Sequence, residues 1–351
     1  QNVSSGTLYD VVGNHTLRIV GENGYEEFFD FTIEPNISGI EHQGNYFGSV
    51  HPVISDTQQI ILDGQYSNLQ DAITTIGTHS IIIVGVNEYY KSIEFTVHPV
   101  IDELQSTNTF EDEISFTIPI SATAKVDGIE YLSGTIISQL GNHTLEIFGL
   151  NNYSTTFDFI IEPEMGLITD NGNYLVPVWL NNSNVQDVTL NGEVYNLGSI
   201  ISEVGHYELE ITGVNGFSKI YNFTILPVVS IQNNTTYTES VSVIASNFDM
   251  KLNGVEFTGS VISTFGNNTL EIIGVNGYSK TYIFTIDNNT INISDNDAYL
   301  ASKTIYNQEG ELYLDGDLIS SGYSVNIPGE YLVEVKGLSG YIESYQITIT
   351  N

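Results

Sequence analysis

Twelve Asn-X-Ser/Thr sequons give this chain a recurrent motif with a defined chemistry, the attachment of a glycan to an asparagine amide. Asn14, Asn142 and Asn267 occupy one aligned position, which the strand pattern predicts to face outward, and Asn222 is predicted to face outward on its own strand. We expect glycans there, with an Asn/Ser/Thr-rich exposed face as the alternative. The other candidates are Asn36, Asn152, Asn181, Asn233, Asn288 and Asn292.

Histidines and acidic clusters are the other residues whose types could support chemistry. His15, His79 and His143 recur at intervals of 64 residues, so each falls in a different unit and we predict structural roles for them. Glu111-Asp112-Glu113 and Asp295-Asn296-Asp297 fall near unit starts, where carboxylates of adjoining domains would be placed to hold calcium. Solvated turns are the alternative. Calcium at domain junctions is the one cofactor suggested.

No recognised catalytic motif accompanies these residues. The sequence has no cysteine, no Gly-x-Ser-x-Gly elbow, no Gly-x-Gly-x-x-Gly loop and no Walker-type loop. We therefore predict that the protein is not an enzyme. Its 43 acidic and 8 basic residues give a formal net charge of -35, which disfavours nucleic acid as a partner. No run of 18 apolar residues is present, so no membrane-spanning helix is expected.

Trp179 is the only tryptophan and lies in an apolar segment, Tyr174 to Leu180. The pattern favours a core position in a strand over a role in stacking on sugars. If the protein is a binding module instead, the unit that contains Tyr174 and Trp179 is where an exposed aromatic patch is expected.

A hairpin that recurs six times must position all of these residues. In the copy at Gly205 to Ile225, Tyr207, Leu209 and Ile211 alternate with polar residues, which predicts a half-buried strand, and an Asn-Gly turn reverses the chain. Its opening glycines are separated by 64, 64, 64, 61 and 63 residues and are Gly13, Gly77, Gly141, Gly205, Gly266 and Gly329. One predicted core column is Phe31, Phe95, Phe159, Phe223, Phe284 and Ile347.

Each complete unit also has an upstream Asx-Gly turn, such as Asn191-Gly192, and a preceding apolar segment. Six or seven short strands per unit predict an all-β tandem array of immunoglobulin-type antiparallel sandwiches. Replacement of Phe223 by Ala is expected to cost about 3–5 kcal/mol. The predicted domains are a partial one at 1–35 and complete ones at 36–99, 100–163, 164–227, 228–287 and 288–351.

The frame of each unit resembles the tandem Ig-like repeats of bacterial and archaeal surface proteins. It reads Leu-Asp/Asn-Gly-x-x-Tyr/Phe, then Gly-x-x-Ile, then Gly-x-x-x-Leu-x-Ile, then a hairpin that closes on Phe-Thr-Ile. It is clearest from Thr189 to Ile225. The resemblance covers nearly the whole chain. It implies an extracellular, surface-exposed array such as an adhesin stalk, an S-layer subunit or a filament.

Residues 1–35 contain only the closing half of a repeat, and half a sandwich exposes its core and strand edges. Either strands from a neighbouring molecule complete it, or the missing strands lie upstream in the same polypeptide. The unit that ends at Ile349 is already complete, so a spare strand is not expected there. The residues that would contact the added strands are Val12, Leu17, Ile19, Phe29, Phe31 and Ile33.

These observations favour an extracellular structural protein, a multi-domain rod that polymerises with copies of itself into a surface filament, sheath or S-layer. The short proline-containing links and the sequons agree with that role. The alternative is the stalk or binding module of an adhesin that recognises glycan or protein.

Overall fold

The structure, a computed structural model, describes residues 2–181, 184–185, 187–243, 247–287 and 290–351. We call the segments 1–35, 36–99, 100–163, 164–227, 228–287 and 288–351 repeats 1 to 6. The chain divides into two compact units. Unit 1 comprises Gln1–Glu164, Ser183–Gln186 and Thr212–Ser218, and unit 2 comprises Met165–Asn182, Asp187–Ile211 and Lys219–Asn351.

Nearly all regular structure in the described residues is β-strand. Repeat 1 has β1 (Gly13–Val20) and β2 (Glu26–Ile33). Repeat 2 has β3 (Asn36–Ser38), β4 (Gly44–Phe47), β5 (Val53–Ser55), β6 (Gln59–Leu62), β7 (Gln65–Ser67), β8 (Gly77–Val84) and β9 (Tyr90–His98). Repeat 3 has a 3-10 helix (Asp102–Leu104), β10 (Thr109–Glu111), β11 (Thr123–Val126), β12 (Ile129–Tyr131), β13 (Gly141–Phe148) and β14 (Ser154–Glu162).

The later repeats follow the same order. Repeat 4 has β15 (Gly172–Tyr174), β16 (Asp187–Leu190), β17 (Glu193–Val194), β18 (Gly205–Thr212) and β19 (Ser218–Ile225). Repeat 5 has β20 (Thr235–Tyr237), β21 (Val241–Ser242), β22 (Asp249–Leu252), β23 (Val255–Glu256), β24 (Val261–Ile262), β25 (Gly266–Ile273) and β26 (Ser279–Ile286). Repeat 6 has β27 (Asp297–Leu300), β28 (Lys303–Ile305), β29 (Glu311–Leu314), β30 (Asp317–Ile319), β31 (Tyr323–Val325), β32 (Gly329–Lys336) and β33 (Ile342–Thr350).

Repeats 2 to 6 each contain a five-stranded sheet of one topology, which in repeat 2 has the order β4-β9-β8-β6-β7. A shorter sheet or a single bridge lies opposite, such as Val178 with Ile201 in repeat 4. This all-β arrangement is a tandem series of Ig-like sandwiches, as predicted. One strand pair in each large sheet is parallel, because the first strand runs in the same direction as the last, as β4 does with β9. These two strands are far apart in sequence and are joined through the rest of the sandwich, so no hairpin constrains their direction.

The predicted hairpins and core columns are present. In β18 the buried side chains of Tyr207, Leu209 and Ile211 alternate with more exposed ones, and Phe223 on β19 is buried. The upstream Asx-Gly turn joins the last two strands in the order of the five-stranded sheet. In repeat 2, Asp63-Gly64 joins β6 to β7, with φ near 50° at the aspartate and 80° at the glycine. Both residue types accept such positive angles, which is why this dipeptide recurs.

The described residues contain no helix long and apolar enough to cross a membrane.

Two of the cores include a side chain from the repeat before: Val204 packs in the core of repeat 5, and Phe265 packs in the core of repeat 6. The sandwiches therefore share packing at their junctions, and the recurrent hairpin is what makes that contact.

Candidate functional site

The tip of each recurrent hairpin contacts the preceding repeat through the backbone. In unit 1 the amide of Val86 in repeat 2 donates to the carbonyl of Val12 in repeat 1 at 2.9 Å, and the amide of Asn14 donates to the carbonyl of Val86 at 3.3 Å. The same two-stranded parallel bridge recurs at every junction. The bridges are Gly13 with Val86, Gly77 with Leu150 and Gly141 with Val214 in unit 1, and Gly205 with Val275 and Gly266 with Leu338 in unit 2.

Close backbone approach explains the two glycines of each hairpin. A Cβ on Gly141 would lie 2.6 Å from the carbonyl oxygen of Val214, and its φ of 141° is unfavourable for other residues. A Cβ on Gly85 would lie 2.6 Å from the carbonyl oxygen of Val12. Any side chain at these positions would push the two repeats apart. We call this arrangement of two glycines and the bridge the joint.

An asparagine side chain closes most joints. Asn151 donates its amide to the carbonyl of Thr78 at 2.7 Å, and Asn215 does the same to Asn142 at the next joint. In unit 2, Asn276 donates to His206 at 2.8 Å. Asparagine has two functions at this position. It tolerates the positive φ of the turn, and its side-chain amide donates the hydrogen bond across the joint.

A tyrosine forms a second contact across three of the joints. In unit 1 the hydroxyl of Tyr89 donates to Glu34, which precedes the link proline, at 2.7 Å. The hydroxyl of Tyr153 lies 2.8 Å from the ring nitrogen of His98 at the following joint. In unit 2 the hydroxyl of Tyr341 donates to Asp287 at 2.7 Å. At these joints the residue before the link is therefore the hydrogen-bond partner of a tyrosine in the next repeat.

The joint between repeats 4 and 5 breaks this pattern. Its acceptor position holds Leu226, and the hydroxyl of Tyr278 is buried without a hydrogen-bond partner among the described residues. At the equivalent position in the hairpin of repeat 4 the residue is Phe217, which has no hydroxyl to satisfy. Burial raises the pKa of Tyr278.

The contact at Glu34 is charged. Lys91 donates to the same carboxylate oxygen at 2.7 Å, and the hydrogen bonds from Lys91 and then Tyr89 hold the pKa of Glu34 below its ordinary value. Burial, followed by the hydrogen bond to Glu34, raises the pKa of Tyr89. Both shifts favour the ionised acid and the neutral phenol, the pair that makes this hydrogen bond.

The buried histidines fasten the sheet inside single repeats. His79 lies 2.7 Å from the carboxylate of Asp63 through Nδ1 and 2.7 Å from the carbonyl of Thr75 through Nε2. The imidazole therefore links the Asx-Gly turn to the segment that precedes β8. Repeat 3 has the same arrangement with His143, Asp127 and Gln139. The structural role predicted for these histidines agrees with this geometry.

Repeat 5 replaces the histidine and the aspartate by two amides. Asn253 donates to Asn268 at 2.9 Å, and Asn268 donates to the carbonyl of Thr264 at 2.7 Å. In repeat 1, His15 has only the second of these contacts, to Val11 at 2.7 Å. The Asx residue that would face its other nitrogen belongs to the half that residues 1–35 lack.

The N-terminal hairpin exposes the side chains that later repeats bury. The exposed fractions are 38% for Leu17 and 50% for Ile19 on β1, and 46% for Phe29 and 42% for Phe31 on β2. The residues at the position of Phe31 in the complete repeats are at most 3% exposed. Ile33 is half-buried at the end of β2. We call the inward side of β1 and β2 the open face.

Val12 does not belong to the open face, although it was predicted to contact an added strand. It is 1% exposed because Gly85 and Val86 of repeat 2 cover it. Sequence reasoning missed this position because the covering residues lie more than 70 positions away. The repetition of two glycines per hairpin was the available signal.

The structure separates the predicted glycosylation sites by whether the amide nitrogen is already used. Asn14, Asn142 and Asn292 donate theirs to the carbonyls of Asn87, Asn215 and Thr304, and the first two do so across a joint. Asn267 is half-buried at a joint and accepts a hydrogen bond from Thr285. Asn288 lies outside the described residues. The exposed candidates whose amide nitrogen makes no hydrogen bond with the described residues are Asn36, Asn152, Asn181, Asn222 and Asn233.

The prediction that Trp179 lies in the core was wrong, because its side chain is 51% exposed. Val178 and Leu180 on either side are the buried residues of this segment, so the alternation places the indole outside. Tyr174 does not join it in a patch. The hydroxyl of Tyr174 donates to Leu167 at 2.7 Å, and its ring packs edge-on against Phe223.

The acidic clusters serve as turns in the structure. Asp112 accepts a hydrogen bond from the amide of Glu164 at 3.0 Å, and Asp295 accepts one from the amide of Gln346 at 2.7 Å. No group of three or more His, Asp or Glu side chains within the described ranges is arranged to hold a metal ion. Calcium at the junctions stays a prediction.

Polar clefts adjoin the joints. One of about 630 Å³ in unit 1 is lined by Asn142, His143, Asp158 and Asn215, among others. One of about 660 Å³ in unit 2 contains the corresponding His206, Tyr207, Asn222 and Asn276. The lining residues are those of the joint and the neighbouring strands, so these clefts accompany the repeat rather than mark one specialised site.

No protein-family model matches this chain, and a search of the curated proteins gave no match. Solved structures with local similarity include the N-terminal eight Ig domains of Down Syndrome Cell Adhesion Molecule (9% identity, TM-score 0.15), of which the match covers 64% while covering 97% of this chain. A second is SGBP-B of Bacteroides ovatus in complex with a mixed-linkage heptasaccharide (15% identity, TM-score 0.15), where the match covers 72% of this chain and 68% of that one. A third is the human desmocollin-1 ectodomain (9% identity, TM-score 0.17), where the match covers 96% of this chain and 85% of that one. Scores this low carry no argument, so the assignment to Ig-like sandwiches rests on the strand order described above.

Proposed function

We propose that the chain is a non-enzymatic extracellular structural protein whose tandem Ig-like repeats build a surface filament, sheath or S-layer. The observation that carries the proposal is the joint. Within each unit, successive repeats exchange backbone hydrogen bonds and pack glycine against backbone, an arrangement suited to transmitting force and maintaining spacing.

The open face supplies the contact for assembly in this proposal. Four large apolar side chains stand exposed on one side of a two-stranded sheet, and its outer edges have unpaired backbone groups. Such a surface is stable in water only when further strands cover it. These strands come from a neighbouring chain or from upstream sequence of the same polypeptide.

Electron microscopy of the purified protein and of native cell surfaces tests the proposal. We expect ordered assemblies, and a monomer under all salt and calcium conditions would contradict self-assembly. A double variant, Leu17→Asp with Ile19→Asp, places charge on the open face and is expected to abolish assembly. The matched control is Val20→Asp on the opposite side of β1, which should assemble normally. Loss of assembly in both variants would contradict the role of the open face.

The second candidate is the stalk or binding module of an adhesin. The observation in its favour is the exposed indole of Trp179 in repeat 4. Binding of a soluble glycan by the intact protein, abolished by Trp179→Ala, is the expected result for this candidate. An array of diverse glycans without a hit would contradict it.

A further inference from the structure

Trp179 and Asn181, the first residue of a sequon, lie on the same side of one extended segment. Burial alternates along it, with Val178 and Leu180 buried and Trp179 and Asn181 exposed. Side chains two residues apart in an extended segment project from the same face, about 6.6–6.8 Å apart along the chain. An extension attached to Asn181 therefore begins beside the indole.

The residue placed next to Trp179 on the neighbouring chain segment is aliphatic. Val178 pairs with Ile201 in the second layer of repeat 4, which places Ile200 next to Trp179 on the outer face, and Ile200 is also exposed. The residues that follow the equivalent bridges in repeats 2, 3 and 5 are His51, Ser115 and Ser242. The indole is thus a feature of repeat 4, and repeats 2, 3 and 5 have none at the equivalent position.

The other sequons lack this arrangement. Among the positions two residues before the sequon asparagines, one other aromatic residue is present, Phe265 before Asn267, and it is buried in the core of repeat 6. The residue two positions before Asn222 is Ile220, and the residue two positions before Asn36 is Glu34. These two exposed sequons are natural controls.

We propose that Asn181 carries an N-linked glycan whose first sugar packs on the exposed face of Trp179. The amide nitrogen of Asn181 makes no hydrogen bond with the described residues, so attachment breaks no hydrogen bond to any of them. A glycosyltransferase joins this nitrogen to C1 of a sugar carried by a lipid phosphate. The N–C1 bond forms, the C1–O bond to the phosphate breaks, the amide loses one proton and the lipid phosphate leaves.

The chemistry of this face fits a sugar. The face of an indole ring is electron-rich and attracts the C–H groups on one side of a pyranose, while the sugar hydroxyls stay in water. Residues 175–181 and 196–202 contain no charged side chain, in a chain with 43 acidic residues. The exposed large apolar residues of these two segments are far fewer than the roughly 20–30 residues per partner of a stable protein interface. They are Leu175, Val176, Trp179, Leu197 and Ile200. The glycan is tethered and needs no such area.

The single tryptophan gives the test a direct readout. Native protein isolated from its own cells is analysed for a glycan at Asn181 by glycopeptide mass spectrometry. Iodide quenching of tryptophan fluorescence is then compared between wild type, Asn181→Gln and the control Asn222→Gln, all made in the same cells. We expect a glycan at Asn181. We expect quenching to increase by about twofold in Asn181→Gln only, because covering one face of a half-exposed ring removes roughly half of its contact with solvent.

Three results would overturn the proposal: an unmodified Asn181 in the native protein, equal quenching in Asn181→Gln and wild type, or an equal increase in Asn222→Gln. Protection of Trp179 in Asn181→Gln by added soluble glycan, with no difference between the two unliganded proteins, would assign the ring to the binding module instead. The inference is independent of assembly through the open face, since its readouts involve neither assembly nor β1 and β2.

Discussion

At the scale of single residues, the pair formed by Asp127 and His143 in repeat 3 shows that different side chains can make the same contact at equivalent positions. The other carboxylate oxygen of Asp127 accepts the amide of Thr144 at 3.0 Å, so this side chain joins the Asx-Gly turn to the central strand. Asn253 makes the same backbone contact in repeat 5, to Thr269 at 2.8 Å. Both side chains supply an oxygen to the backbone amide of the central strand, and their second partner is either an imidazole or an amide.

We expect Asp127→Ala to lower the local free energy of opening of β13 by about 1.5–3 kcal/mol, because a buried histidine loses its charged acceptor. Hydrogen exchange of the β13 amides measures this change. The double variant Asp127→Asn with His143→Asn should recover most of the loss, since Asn253 and Asn268 form that pair in repeat 5. A double variant no better than Asp127→Ala would contradict this interpretation.

The tyrosines at the joints predict opposite effects for one substitution. Tyr341→Phe removes a donor from Asp287 and should cost about 1.5–3 kcal/mol in joint stability. Tyr278→Phe removes a buried hydroxyl that has no partner among the described residues, and should be neutral or stabilise by about 1 kcal/mol. Exchange of the Leu338 and Val275 amides, which bond across the two joints, is the measurement. Equal effects of the two substitutions would refute the assignment.

At the scale of elements, the joint depends on the absence of a side chain. Gly85→Ala introduces a Cβ 2.6 Å from the carbonyl oxygen of Val12 and should cost about 1–3 kcal/mol in the bridge. Faster exchange of the Val86 amide, with β8 and β9 otherwise protected, is the expected outcome. Gly21→Ala is the control, because the nearest atom would be 3.7 Å away. Similar exchange in both variants would show that the clash is relieved at no cost.

The first joint should depend on pH in both directions. The lowered pKa of Glu34 means that its stabilising contribution is present above the ordinary value of 4.5 and is lost as the pH falls through the lower, folded value. The raised pKa of Tyr89 means that its contribution is complete below the ordinary value of 10.0 and is lost as the pH rises through the folded value. Exchange of the Val86 amide, corrected for intrinsic rates, should be slowest between these limits. Glu34→Gln should remove the acid limb, and a persistent limb would assign it to another group.

The sequence predicted the hairpins well and the joints not at all, for a physical reason. Alternating apolar residues and Asx-Gly turns act within about twenty residues, so Tyr207, Leu209 and Ile211 identify a strand by themselves. The contact of Gly77 with Leu150 links residues 73 positions apart, and no local pattern specifies the partner. Trp179 was misassigned because an apolar segment does not show which of its alternate residues faces inward.

At the scale of the whole molecule, the net charge of -35 opposes association of copies. Screening by salt shortens the range of this repulsion, so assembly through the open face should strengthen as ionic strength rises. Light scattering in sodium chloride and in calcium chloride at matched ionic strength separates screening from specific binding. Equal responses indicate screening alone, whereas a larger response to calcium, reversed by a chelator, indicates calcium at the junctions. Weaker assembly at high salt would contradict the apolar contact.

The half-repeat could be recognised in the sequence because the period of the whole chain shows which motifs each repeat should contain. This holds even where the assignment of single strands is ambiguous. Residues 1–35 lack the Asx-Gly turn, and the structure shows the expected result in the exposed Leu17, Ile19, Phe29 and Phe31. The second layer was harder to predict. Six or seven strands per repeat were expected, whereas the described residues of repeats 3 and 4 form five strands each, with one isolated bridge in the second layer. Short segments of two or three residues carry too little periodic signal.

Because every joint is built on the same bridge between a glycine and the backbone of the next hairpin, the number of repeats is free to change without redesign of that bridge. Removal of one whole period, residues 100–163, would bring Gly77 opposite Val214 in place of Leu150, and Asn215 would still supply the closing amide. The tyrosine contact would change, since His98 would then meet Phe217. Recombination between repeated gene segments can therefore lengthen or shorten this protein in steps of one domain, with selection acting mainly on the acceptor and aromatic residue at each new junction.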